Sequence, residues 1–163
     1  MNSLVVYGST AGNTRQLAEK IASVLAEHGS VECHAASEMA LLDVYGIDLL
    51  ILGCPTLSHG LWPTMRMLLE NTPTRSLEGI SVATFDTQSH QSHQYSASAA
   101  QLLAERLHKA GAQLLSPVKN FFIGERKSSL EDRELERATQ WTHLIIEQCE
   151  AIRGKEIVSL TYA

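Results

Sequence analysis

Short apolar runs alternate along the chain with segments whose apolar residues recur every three or four positions. Leu4, Val5, Val6 and Tyr7 form a compact run that predicts a buried strand. Residues 14–26 follow, with Leu17, Ile21, Val24 and Leu25 at helical spacing and Gly29 placed to end the helix. Residues 31–35 predict a second strand, and 37–42 a short helix with Ser37 as its N-cap. Leu49, Leu50, Ile51 and Leu52 form the clearest strand. Pro63 then opens a helix, at a position where its missing N–H is not needed, with Met65, Leu68 and Leu69 on the apolar side.

Residues 80–85 predict a fourth strand. Residues 96–110 predict a helix striped by Ala99, Leu103, Leu107 and Ala110, with Gly111 behind it. Residues 113–123 hold a fifth strand, interrupted or bent near Pro117. Ser128 and Glu131 have capping-box spacing, because a serine oxygen and a glutamate three residues on satisfy free N–H groups mutually. The last helix is expected to run to about residue 150, with Leu135, Ala138, Thr142, Ile145 and Cys149 inward and Trp141 in the core.

Strands alternating with helices mean an α/β fold, a parallel sheet covered on both faces. Right-handed crossovers restrict it to a few doubly wound forms. Residues 1–153 are expected to form one domain and 154–163 a C-terminal tail. In that tail Ile157, Val158, Leu160 and Tyr162 nearly alternate, which fits an edge strand, a dimer contact or a loose end.

Composition narrows the function. The chain has 163 residues, 44% of them hydrophobic and 19% charged, which describes one globular domain with an adequate core. No apolar run approaches the ~20 residues of a membrane span. Met1, Asn2, Ser3 and Leu4 lack the charged start of a signal peptide. The three cysteines Cys33, Cys54 and Cys149 are odd in number and far apart, so a reducing cytoplasm is expected rather than a disulfide framework or zinc site. A net charge of −5, from 13 basic and 18 acidic residues, argues against a nucleic-acid partner.

The candidate chemistry lies between the first strand and the first helix, where open α/β sheets bind ligands. Gly8 is followed there by Ser9, Thr10, Ala11, Gly12, Asn13 and Thr14. Hydroxyl and amide donors, a glycine that lets backbone N–H groups converge, and the positive end of a helix suit a phosphate. The loop has neither the Gly-Lys-Ser/Thr of a Walker A motif nor the spaced glycines of a dinucleotide fingerprint. Arg15 is the nearby cation, on the helix.

These residues resemble the FMN-phosphate loop of the flavodoxin family, with Ala11 where Thr is more usual. The resemblance continues where the third strand runs into Gly53, Cys54, Pro55, Thr56, Leu57, Ser58, His59 and Gly60, and again along Val82, Ala83, Thr84, Phe85, Asp86 and Thr87. It spans about residues 4–150. It implies a short-chain flavodoxin-like sheet of five parallel strands ordered 2-1-3-4-5, with helices on both faces and FMN beside the first and third strands. The cofactor residues it implies are Ser9, Thr10, Ala11, Gly12, Asn13, Thr14, Pro55, Thr56, Leu57, Ser58, His59, Gly60, Asp86, Thr87, Gln88, His93 and Tyr95. His59 and Leu57 are expected on the inner flavin face, and His93 and Tyr95 on the outer. Gly60 is expected to present a carbonyl to the reduced ring. No catalytic side chain and no metal is called for.

The function implied is an FMN-binding electron carrier working in the cytoplasm between soluble redox proteins, its oligomeric state open. The alternative is a small FMN-dependent oxidoreductase on the same fold, a quinone reductase or a protoporphyrinogen-oxidase-like enzyme. Apart from Asp86, the ring-facing loops lack the carboxylates that make flavodoxins strongly reducing, so a less reducing flavin is expected.

Overall fold

The computed structural model describes residues 1–9, 11–58, 60–73, 76–92, 97–115, 117–124 and 128–161. The elements are β1 Asn2–Tyr7, α1 Asn13–Leu25, β2 Ser30–Ala35, β3 Leu49–Pro55, α2 Pro63–Asn71, β4 Ser81–Gln88, α3 Ala99–Lys109, β5 Gln113–Leu114, β6 Lys119–Phe122 and α4 Glu134–Thr161. The strands pair in parallel in the order β2-β1-β3-β4-β5, and β6 also pairs with β4.

Strand alternation divides the core between the two faces of the sheet. Val5, Ile51, Ala83 and Phe85 point to α1 and α4, where they meet Leu17, Ile21, Ala138 and Ile145. Leu4, Val6, Leu50, Leu52 and Val82 point to α2 and α3, where they meet Met65, Leu68, Leu103 and Leu107. Trp141 is buried edge-on to Phe85 and Phe121, with its indole N–H donating to the Pro117 carbonyl at 3.1 Å.

Several local expectations are corrected. The segment after β2 is a 3-10 turn, Ala36–Glu38, with Ala35 as its N-cap and Ser37 inside it; Ala35 N donates to the Glu38 carboxylate. The fifth strand is, as expected, interrupted near Pro117. β5 pairs with Ser81 and Val82, while β6 pairs with Phe85 to Gln88. The capping box is absent: Ser128 has φ 48°, Gly124 N donates to Ser129 O at 2.9 Å, and Ile123 bridges Leu130. That pairing folds the segment into a turn and delays the helix to Glu134, whose carboxylate accepts the Phe122 amide and pairs with Arg137. At its far end α4 continues through Thr161, past the expected stop near residue 150 and through Gly154. The near-alternation over 157–162 therefore belongs in large part to a helix, not an edge strand. No Pro interrupts 150–161 to force an earlier stop.

Candidate functional site

The carboxyl ends of β1, β3 and β4 lie side by side, so the loops that leave them converge. The first loop is anchored at its root, where Gly8 N donates to Gly53 O at 2.9 Å. It turns at Gly12, whose φ of 84° is a left-handed conformation natural to glycine. No atom of the described residues lies within 4 Å of where a Gly12 side chain would begin, so they leave the loop open on that side. Gly12 N donates to Ser9 Oγ at 3.1 Å, Ala11 is exposed, and Thr10 lies outside the described residues.

Helix α1 starts from this turn with no side-chain cap and no acidic residue in its first turn. The first N–H groups of a helix have no partner within it and carry roughly half a positive charge. Asn13 and Thr14, the first two helical residues, are buried. Asn13 Nδ2 donates to Ser128 O at 2.9 Å, which ties this loop to the turn before α4. Thr14 Oγ1 lies 2.9 Å from Thr87 Oγ1. Two hydroxyls sharing one hydrogen bond retain a second proton to donate. Arg15 turns away, pairing with Glu19 at 2.7 Å on the exposed side of α1. Among the described residues, the site thus gathers neutral donors and a helix end, a set suited to an anion.

The second loop leaves β3 at Pro55. Thr56 N donates to Thr87 O at 2.9 Å, joining it to the third loop. Leu57 and Gly60 form an antiparallel bridge, with Ser58 exposed at the tip and Gly60 at φ 110°. His59 lies outside the described residues, so its place on the flavin face is not described. Trp62, just before α2, is packed on the root of the first loop: a Cβ on Gly8 would lie 2.8 Å from its Cδ1. Cys54 is buried beside it, and burial pushes its thiol up to about 12. It is a packing residue, protonated at neutral pH.

The third loop follows β4, all eight residues of which are buried. Strand alternation turns Thr87 toward α1, like Phe85, and Asp86 toward α3, like Val82. Asp86 is 0% exposed. Its carboxylate accepts from Thr56 Oγ1 at 3.1 Å, from Ala100 N at 3.0 Å and from Asn120 Nδ2 at 2.9 and 3.0 Å. The residue expected beside the ligand is thus a saturated brace beneath the loops. Gln88 is likewise buried in the strand, at 3% exposed, and its carbonyl accepts from Ile123 N. His93 and Tyr95 lie outside the described residues.

Sequence reading missed three supports. Asn120 reaches Asp86 and, at 3.2 Å, Ser98 Oγ; an amide directly before the apolar Phe121, Phe122 and Ile123 was the available signal. Ser98 caps α3 by accepting from Gln101 N at 3.3 Å. His90 stacks on Phe122 and meets Glu131.

A family model of flavodoxins matches residues 5–140. The chain belongs to the flavodoxin family. Its architecture is similar to that of oxidised flavodoxin 1 from Bacillus cereus, at a TM-score of 0.76 and 20% identity over 90% of this chain and 98% of that one. A flavodoxin from the domain Archaea superposes at 0.73 with 21% identity, covering 92% and 99%. A Fusobacterium nucleatum flavodoxin variant, solved bound to flavin mononucleotide, superposes at 0.68 with 14% identity, covering 90% and 96%. As in these flavodoxins the fold is an α/β sheet in the order 2-1-3-4-5, here extended by β6. Among the described residues of this flavodoxin, no helix is long and apolar enough to cross a membrane.

Proposed function

We propose that this flavodoxin binds FMN and carries electrons between soluble redox proteins. One observation supports this most: α1 begins uncapped behind an open left-handed glycine, with the Thr14–Thr87 hydroxyl pair holding a spare proton beside it. That arrangement suits the phosphate of FMN, and family membership gives the same reading independently.

Ser9, Thr10, Ala11, Gly12, Asn13 and Thr14 hold the phosphate through backbone N–H groups and hydroxyls. Pro55, Thr56 and Leu57 to Gly60 wall the inner side of the ring, with Leu57 and His59 as its neighbours. Thr87 and the loop through His93 and Tyr95 cover the outer side. Gly60, at φ 110°, is free to turn its peptide toward the ring as the redox state changes. Bound FMN supplies the electron storage; the chain supplies binding, orientation and the local field. Asp86 and Asn120 keep the second and third loops in register with α3.

Titration of the purified, flavin-stripped chain with FMN and with riboflavin, followed by flavin fluorescence, tests this. FMN should bind at one equivalent and more than about tenfold tighter than riboflavin, because ~1.4 kcal/mol or more rides on the phosphate. Failure to bind FMN, or equal affinity for both flavins, overturns the assignment.

A further inference from the structure

His90 holds the loop after β4 by two contacts of different chemistry. Its ring lies flat on Phe122, with centroids 4.3 Å apart and planes 7° from parallel. Its Nε2 lies 2.9 Å from Glu131 Oε1. Both partners are fixed to the sheet. Phe122 ends β6, its amide donates to Glu134 at 2.9 Å, and its carbonyl accepts from Glu131 N at 3.0 Å. His90 itself lies two residues past β4, in a turn closed by Ser92 N donating to Ser89 O at 3.0 Å. The same loop continues to His93 and Tyr95.

We propose that His90 is a positioning residue for the flavin site. Its stack and its ion pair set where the loop leaves the sheet, and hence where the segment over the outer flavin face begins. This inference rests on the FMN reading above and deepens it. Among the described residues, the charged group facing the imidazole is Glu131. Beyond Phe122 lie Arg137, 5.9 Å from the ring centroid, and Glu134, which pair with each other and leave little net field. The stack on Phe122 and the pair with Glu131 act on one ring, and each can be removed without the other. His90 and Glu131 are 57% and 36% exposed, so the effect is modest.

The test compares FMN dissociation constants, and the visible circular dichroism of the bound flavin, for the wild type, His90→Ala, His90→Phe and Glu131→Gln. His90→Ala loses both contacts and should weaken FMN about fivefold and change the visible dichroism. His90→Phe keeps the stack and should recover binding to within about twofold of wild type. Glu131→Gln should follow His90→Phe. Far-ultraviolet circular dichroism should be unchanged throughout. Wild-type affinity and visible dichroism in His90→Ala, or no recovery by His90→Phe, overturns the positioning role and leaves the FMN assignment standing. Absence of FMN binding by the wild type overturns both.

Discussion

Helices α1 and α3 both begin at the carboxyl end of the sheet, and their first turns are treated in opposite ways. In α3 the amides of Ala99, Ala100 and Gln101 are filled in succession by Thr56 Oγ1, Asp86 Oδ2 and Ser98 Oγ. In α1, among the described residues, no side chain caps the N-terminus, and no acid stands in the first turn. A first turn satisfied by the protein contributes to stability, and one left unsatisfied is available to an anion. One helix end is committed to support, and the other is left open.

Removing the brace breaks the contrast on the stability side and gives the largest effect. Asp86→Ala strands the Thr56 hydroxyl, the Ala100 amide and the Asn120 amide group inside the protein. Urea unfolding should show a loss of ~3 kcal/mol or more. A loss below ~1 kcal/mol would mean that the network is incidental.

Making α1 resemble α3 breaks the contrast from the binding side. Gly12→Asp puts a carboxylate at the open helix end, at a φ that aspartate tolerates better than most residues. Stability should change by less than ~1 kcal/mol, since strain and helix-dipole gain oppose each other. FMN affinity should fall more than about 100-fold, equivalent to ~2.7 kcal/mol. Binding at wild-type strength would remove the phosphate from this loop.

Thr14→Ala is the milder version. It takes away the hydroxyl pair with Thr87 and should raise the FMN dissociation constant about tenfold while leaving riboflavin affinity unchanged. An equal effect on both flavins would assign Thr14 to the ring instead.

The smallest expected change concerns potential. The second loop carries no carboxylate between Pro55 and Gly60, and Asp86 is buried in its brace. Ser58→Asp, at the exposed tip, should lower the potential of the second one-electron step by ~30–60 mV, where ~59 mV corresponds to ~1.4 kcal/mol. A redox titration that finds no shift would show that this tip lies outside the flavin's field.

Much of this contrast was legible in the residues. The apolar runs of β1, β3 and β4, and the helical stripes of α1 and α3, admit little else. The donor-rich turn from Ser9 to Thr14 marked the open helix end. The closed one was harder to see. Strand β4 is buried on both faces, so its residues show no polar alternation, and the bracing role of Asp86 depends on Thr56, Ala100 and Asn120 arriving from three other segments. The turn before α4 misled for a related reason. Ser128 and Glu131 have capping-box spacing, but Glu131 is engaged by His90 and the backbone of Phe122, contacts that exist only once β4 and β6 have paired.

The seat of Trp62 on Gly8 gives the molecule two separate optical reporters. The chain has two tryptophans. Trp141 sits among Phe85 and Phe121 on the α4 face, where its emission follows the melting of the core. Trp62 touches the root of the first loop on the other face, where a flavin held as proposed would quench its light on arrival. Excitation of one indole or the other, isolated by Trp→Phe exchange, thus follows folding and cofactor capture as distinct signals in a single chain.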